Sequence, residues 1–253
     1  MSQTLRQQQI VGRLRETKAS TVLDLAAHFE VSDETIRRDL KSLAETGIVE
    51  RFHGGVRLND VGWEAPFERR LQEQAAAKRR IAVAAADLIA DEATILLDNS
   101  SSACFLAREL ATRRRRLTAI TVSVEVAGIL SAVGPQHRVI LPGGELRAED
   151  RTIVGASAID FASQFAPEFF VMSVAAASPS RGCMDFDMFE TEFKRAMLPL
   201  AEKVMLLLDG SKFAKHGLIH VCDWPSIDVL VSDAAAPDGV RLALERARIV
   251  QAE

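Results

Sequence analysis

Along the first sixty positions, apolar residues recur at helical spacing in three short stretches. Residues 4–17 bring Leu5, Ile10, Val11 and Leu14 roughly to one side. Residues 22–29 do so with Val22, Leu25, Ala26 and Phe29, and residues 33–45 with Ile36, Leu40 and Leu43. Ser20 or Thr21 offers an N-cap for the second helix and Ser32 for the third. Only Glu30-Val31-Ser32 separates these two, which is enough for a tight turn and nothing more. Gly47 closes the helical unit. Extended runs at 48–52 and 56–58 then flank His53-Gly54-Gly55, a hairpin signal.

Residues 59–66 carry turn formers, one Gly, one Pro and no periodicity, so they read as a linker. The pattern then changes. Residues 67–90, rich in Ala, Arg, Gln and Glu, predict one long helix. Beyond it, short apolar runs at 93–97, 117–121, 138–141, 169–174, 203–208 and 227–231 predict strands. Helical patterns at 103–111, 124–132, 159–164, 190–200 and 239–247 alternate with them. Uninterrupted apolar strands alternating with helices predict an α/β domain with a mainly parallel sheet covered on both faces. The expected organisation is a small N-terminal domain over 1–58, a linker over 59–66 and an α/β domain over 67–253.

Composition narrows the functional classes. The chain has 253 residues and 48% hydrophobic content, enough for a sizeable core. No apolar run approaches membrane-spanning length, and the start, Met1 to Arg6, lacks the apolar segment of a signal peptide, so the expectation is a cytoplasmic protein off the membrane. Three scattered cysteines, Cys104, Cys183 and Cys222, suit neither a disulfide framework nor a paired-cysteine zinc site. His216 and His220 lie four apart with Gly217 between and no ligand pattern around them, so no metal and no cofactor is expected. The net charge is −4; residues 1–58 hold nine Lys/Arg and eight Asp/Glu, a net +1 against −5 for the rest. Any DNA binding must come from a local basic face.

The third helix offers such a face. Two helices joined by a three- or four-residue turn form a helix-turn-helix, whose second helix enters the major groove. It offers Ser32, Thr35, Arg37, Arg38 and Lys41 to the groove, with Arg suited to guanine edges and Ser or Thr to bases or phosphates. Arg51 and His53 at the hairpin would reach phosphate or the minor groove as a wing. On spacing alone, a three-helix cap with solvated charges fits equally well.

In the larger domain the strand at 93–97 ends in Asp98-Asn99-Ser100-Ser101-Ser102 and runs into a helix. Hydroxyls and backbone N–H groups at a helix N-terminus, beyond the carboxyl end of a strand, suit a phosphate. Ser123, Gly143-Gly144 and Asp209-Gly210-Ser211-Lys212 end other strands and could converge there. Lys212 would supply a cation and Asp209 would accept from a sugar hydroxyl. A plain capped strand-to-helix turn explains the same serines.

The run Val31-Ser32-Asp33-Glu34-Thr35-Ile36-Arg37-Arg38-Asp39-Leu40, then Leu43, then Arg51-Phe52-His53-Gly54-Gly55, closely resembles the N-terminal signature of the DeoR family of bacterial transcriptional regulators. The resemblance continues through Asp98–Ser102, Thr121–Ser123, Gly143-Gly144, Lys194-Arg195-Ala196 and Asp209–Phe213, and so covers essentially the whole chain. It implies a winged helix-turn-helix that binds double-stranded operator DNA as a dimer or tetramer. It also implies a Rossmann-like sensor domain resembling a sugar-phosphate isomerase that binds ligand without turnover. The implied effector is a phosphorylated sugar or polyol of three to six carbons, and Lys194 joins the implied effector residues.

Three stretches depart from the family pattern. Asn99-Ser100-Ser101-Ser102 replaces a Gly- and Thr-containing loop, Val122 replaces an Asn, and Val174-Ala175-Ala176-Ala177-Ser178 replaces a turn with Gly and Asp. The last bears on the rival reading, a phosphosugar isomerase with an accessory helical module. Such an enzyme needs a general base, and this segment has none, leaving Asp98, Glu190 and Glu192 as candidates. The basic runs Arg113–Arg116 and Lys78-Arg79-Arg80 read as solvated connector and helix surface.

Overall fold

A computed structural model describes residues 3–45, 48–52, 55–58, 65–113, 116–213 and 215–253, with all their side chains except that of Arg15. The hairpin tip His53-Gly54, Gly47, most of the expected linker and Arg114-Arg115 therefore lie outside the described residues.

The N-terminal unit comprises α1 (Gln3–Thr17), β1 (Ala19–Ser20), α2 (Val22–Phe29), α3 (Asp33–Glu45), β2 (Val49–Phe52) and β3 (Gly55–Leu58). Thr21 caps α2 in a reciprocal box with Asp24. Glu30 ends α2 in the left-handed conformation (φ 53°), which turns the chain into α3 within two residues. Ile10, Leu14, Leu25, Ile36, Leu40 and Leu43 are buried together. β2 and β3 pair antiparallel, and β1, which the sequence pattern did not predict, adds to β3 as a third strand.

The larger unit begins with a departure from expectation. Instead of one helix over 67–90, there are α4 (Phe67–Arg70) and α5 (Ala75–Asp87), separated by a turn in which Gln74 takes φ 53°. The Lys78 ammonium donates to the Arg70 carbonyl (2.5 Å) and the Glu73 carbonyl (2.8 Å). It thereby occupies acceptors that a continued helix would have used. There follow β4 (Thr94–Leu97), α6 (Ser101–Thr112), β5 (Thr118–Thr121), α7 (Val124–Ser131), β6 (Arg138–Ile140), β7 (Glu145–Arg147), β8 (Thr152–Val154) and α8 (Ala156–Ala162). The chain continues with β9 (Phe169–Met172), β10 (Ala176–Ser178), β11 (Gly182–Asp185), α9 (Met188–Met197), β12 (Lys203–Leu208), β13 (Ile219–Cys222), β14 (Val229–Ser232), α10 (Asp238–Ala243) and β15 (Arg248–Gln251).

Seven strands form one parallel sheet in the order β15-β14-β12-β9-β4-β5-β6. Alternate residues feed two cores. Ile95, Leu97, Met205 and Leu207 pack beneath α5, α6 and α7, while Leu96, Val204, Leu206 and Leu208 pack on the opposite face against α8, α9 and α10. Both faces being covered explains why these strands read as continuous apolar runs. The strand order reverses direction between β4 and β9, so a crevice opens beyond the ends of these two strands. A smaller antiparallel sheet, β10-β11-β13, stands beside it. Its β10–β11 turn needs Gly182, at φ 65°, where a Cβ would meet the Cys222 carbonyl oxygen at 2.4 Å.

The two units touch. Ala175 and Phe186 of the larger unit are buried in the same cluster as Ile10, Leu14 and Leu25. Among the described residues, no helix is long and apolar enough to cross a membrane.

Candidate DNA-reading face and anion cavity

On α3, Ile36, Asp39, Leu40 and Leu43 face inward, which leaves Arg37, Arg38 and Lys41 exposed on one outer side. Asp39 is an acid buried to 1% exposure, and it earns that place by an ion pair with Arg6 of α1 at 2.5 Å. This pair fixes the roll of α3 and hence where its arginines point. Ser32 caps the helix: its hydroxyl lies 2.9 Å from that of Thr35 and accepts from the Thr35 N–H at 3.3 Å. Among the described residues Arg37 and Arg38 make no ion pair, whereas Lys41 lies 3.9 Å from Glu45. Arg51 is exposed on β2, beside Phe52, over which the Arg57 guanidinium stacks at 6.0 Å. His53 lies outside the described residues.

Beyond β4 and β9 lies a cavity of about 490 Å³. Its base is the start of α6, with Ser100 as N-cap accepting from the Ala103 N–H at 3.1 Å, and Ser101 beside it. Lys212 reaches in from the loop after β12, its ammonium 2.9 Å from the Ser173 hydroxyl and 4.0 Å from Asp209. Arg69, Arg70, Glu73, Gln74 and Lys78 form a further wall. Val174, Ala175 and Phe186 close the side toward the N-terminal unit.

Electrostatics sort the charged groups into two sets. Lys194, Asp185, Glu190 and Asp98 form a buried cluster, with Lys194 2.6 Å from Asp185, 3.7 Å from Glu190 and 3.8 Å from Asp98. Burial alone would lower the Lys194 pKa, but Asp185, Asp98 and Glu190 together raise it, so the ammonium stays charged. Burial likewise works to raise Glu190, yet Lys194, Arg70 and Arg147 win and hold it at about 2. A carboxylate so committed is a poor proton acceptor. Burial pushes Asp98 up against the pull of Lys194. Its oxygens accept from the Ser100 N–H (2.9 Å) and the Ser173 N–H (2.8 Å), joining the two loops that frame the cavity.

The second set is an excess of cations. Lys78 is nearly buried, and burial first, then repulsion from Lys212, brings its pKa down to about 8. Over the whole cavity, six Lys/Arg side chains face four carboxylates. The surplus of two positive charges matches the dianion of a phosphate monoester.

The expected effector residues thus divide. Ser100, Ser101, Lys194, Asp209 and Lys212 line the cavity. Asp98 lies beneath it. Asn99 donates to Asp150 at 2.9 Å and hydrogen-bonds Glu190 from behind the cavity lining, and Ser102 is buried in the first turn of α6. Ser123 is spent as the N-cap of α7, accepting from the Val126 N–H. Gly143 and Gly144 sit at the turn before β7, with Gly144 against Ile153. These five are not cavity walls. Val122, noted as replacing an amide, is packed in the core. The sequence reading missed Arg70, Lys78, Ser173, Asp185 and Phe186. It took Lys78 for helix surface, because nothing in a run of good helix formers announces a break at Gln74. Of the Arg113–Arg116 run, Arg113 pairs with Asp87 and Glu109 and Arg116 with Glu92, while Arg114-Arg115 lie outside the described residues.

Comparison with known proteins agrees with both halves. The family described as a DeoR-like helix-turn-helix domain matches residues 6–61, and that described as the DeoR C terminal sensor domain matches residues 73–234. The glycerol-3-phosphate regulon repressor of Escherichia coli (strain K12) is 32% identical over 244 residues, covering 96% of each chain. The HTH-type transcriptional regulator GolR of Listeria innocua is 32% identical over 233 residues, covering 90% of this chain and 89% of its own. Among solved structures, ribose 5-phosphate isomerase A from Methanocaldococcus jannaschii aligns with a TM-score of 0.43 and 15% identity over 56% of each chain. With a helix-turn-helix at its start, a parallel-sheet sensor behind it and regulators as its full-length relatives, this chain belongs to the DeoR family of DNA-binding transcriptional regulators.

Proposed function

We propose that the protein represses genes of sugar or polyol metabolism and that a phosphorylated three- to six-carbon sugar or polyol releases it from its operator. Glycerol 3-phosphate is the first compound to try, since a relative of 96% mutual coverage is named for that regulon. The observation that carries the reading is the cavity beyond β4 and β9, with a helix N-terminus at its base and two positive charges in excess. Ser100, Ser101, Lys194, Asp209 and Lys212 serve the ligand directly, while Asp98 positions the loops. Arg37, Arg38 and Lys41 read the operator, Ser32 and Thr35 set the helix start, and Arg51 with His53 supplies the wing. The division at 1–58, 59–66 and 67–253, a dimeric or tetrameric assembly on paired half-sites, and a cytoplasmic setting complete the proposal.

The test is an operator-binding titration on fragments of the protein's own promoter region. Glycerol 3-phosphate, fructose 6-phosphate and inorganic phosphate are added to wild type and to Lys212→Gln. A phosphorylated compound should weaken operator binding by wild type, and Lys212→Gln should need about tenfold more of it, the loss of one charge-assisted hydrogen bond. If wild-type protein retards no promoter fragment at low salt, the DNA reading fails. If it binds DNA but no phosphorylated compound alters that binding, the effector reading fails.

A further inference from the structure

Three residues of the larger unit reach the core of the N-terminal unit: Ala175 and Phe186 are buried in it, and Leu218 packs against it. They come from separate stretches of chain, and Asp185 holds all three. Its carboxylate accepts from the Ala175 N–H at 2.8 Å, its carbonyl accepts from the Leu218 N–H at 2.9 Å, and Phe186 is the next residue. Asp185 is 1% exposed, at the end of β11. The run Val174-Ala175-Ala176-Ala177-Ser178, which has no Gly or Asp to offer a ligand, thus supplies a small apolar side chain to that core and an N–H to this carboxylate. The other carboxylate oxygen lies 2.6 Å from the Lys194 ammonium, which is also 3.8 Å from Asp98. Asp98 in turn accepts from the Ser100 N–H at the start of α6. Ser100, Lys194 and Asp185 all line the cavity. An anion seated at the α6 N-terminus therefore competes with Asp185 for one buried ammonium. A carboxylate buried this deeply does not lose its cation and stay in place, because an uncompensated buried charge is strongly unfavourable.

We propose that Asp185 is the positioning residue that couples the two units: a phosphomonoester in the cavity draws Lys194 off Asp185, and the carboxylate carries Ala175, Phe186 and Leu218 with it, which reseats α1. The proposal rests on the reading of this cavity as the phosphosugar site and adds the element through which occupancy is felt at the DNA-binding unit. Two arrangements follow. With Lys194 on Asp185, the three residues hold α1 in the position described and the operator is bound. With Lys194 on the phosphate, they shift and operator affinity falls. The Lys194–Asp185 ion pair is the contact that differs between the two, and a ligand shifts an equilibrium only through such a difference.

The experiment measures operator affinity of full-length protein with and without saturating glycerol 3-phosphate, fructose 6-phosphate or inorganic phosphate, and ligand affinity separately by calorimetry. The ratio of the two operator affinities does not depend on how tightly the ligand binds. Wild type should give a ratio of about 5 to 150 with an active compound. Asp185→Asn keeps the shape and an acceptor for the Ala175 N–H but loses the ion pair, and its ratio should fall to within about twofold of unity. Leu218→Ala leaves every cavity residue in place; it should reduce the ratio several-fold at unchanged ligand affinity, and it decides the matter if Asp185→Asn does not fold. A wild-type ratio in both variants would overturn the proposal and leave the phosphate site standing. Loss of ligand binding in Asp185→Asn with a wild-type ratio in Leu218→Ala would make Asp185 a ligand contact, which also overturns it. No response of wild type to any of the three compounds would remove the site and the proposal together.

Discussion

The side-chain amide of Gln8, on the first helix of the DNA-binding unit, donates to the backbone carbonyl of Phe186 at 3.3 Å and lies 3.4 Å from the Asp187 carboxylate. Phe186 in turn lines the cavity beyond β4 and β9 and is packed in the same buried cluster as Ile10, Leu14 and Leu25. One aromatic residue therefore has this cavity on one side and the helix-turn-helix core on the other. A ligand that shifts Phe186 shifts the surface on which α1 rests.

Replacing Gln8 by Ala removes the polar part of this contact and leaves both binding faces intact. The two hydrogen bonds are worth about 0.5–1.5 kcal/mol each. Operator affinity and ligand affinity measured separately should stay near wild type. The ratio of operator affinities with and without glycerol 3-phosphate should shrink several-fold, because coupling is carried by contacts that differ between the two arrangements. Fluorescence anisotropy on a labelled operator gives both quantities. A ratio equal to wild type would show that coupling runs elsewhere.

Arg38 and Asp39 are adjacent in sequence and should behave as opposites. Arg38→Ala removes an exposed cation without an ion pair among the described residues, and should cost about 1–3 kcal/mol of operator affinity with an unchanged unfolding curve. Asp39→Ala strands Arg6 in a site where only 12% of its side chain is exposed, and should cost about 3 kcal/mol of stability in the N-terminal unit. Urea unfolding beside operator titration separates them. Normal stability for Asp39→Ala would mean that the Arg6 pair does not hold α3 in place.

Lys78 should make phosphate binding in this cavity depend on pH. Its pKa of about 8 lies below the ordinary lysine value, from burial and then from Lys212. Without ligand, the folded protein therefore holds fewer protons than the unfolded chain between about pH 8 and the ordinary lysine pKa, and this group's contribution to stability grows as pH rises through that window. A bound phosphate favours the ammonium and reverses the shift. Binding should take up a proton near pH 8.5, and affinity for glycerol 3-phosphate should fall as pH rises above about 8. Titrations in Tris and HEPES, whose ionisation heats differ, would report the proton. Affinity level from pH 7 to 9.5 would show that Lys78 does not feel the ligand.

Local pattern reached far in this chain. The spacing of Ile36, Leu40 and Leu43 marked the buried side of α3 and left Arg37, Arg38 and Lys41 on the other. Helical periodicity is enough for that, because a helix on a small core has only one apolar stripe to bury. Six of the seven strands of the parallel sheet were visible as apolar runs. The seventh, Arg248–Gln251, was missed because it is four residues long, largely exposed at the sheet edge, and holds only two apolar positions. The short strands Glu145–Arg147 and Gly182–Asp185 were missed for a similar reason, since three or four residues show no period.

What sequence alone determined was the hydroxyl-rich turn at the end of β4 and the buried and exposed sides of α3, both written in contiguous residues. Which of those groups meet was decided by the tertiary structure. Asn99 and Ser123 follow strands as expected, yet Asn99 is taken up by Asp150 and Glu190, Ser123 caps α7, and Gly143-Gly144 is not part of the cavity wall. Arg70, Lys78 and Phe186 come from other parts of the chain and close around Ser100 and Lys212. The physical reason is that a cavity wall is made by long-range packing and by where a helix stops. Here α4 stops at Arg70 and α5 starts at Ala75, and an ammonium from the second helix takes the Arg70 and Glu73 carbonyls in between, an interaction with no signature in local propensity.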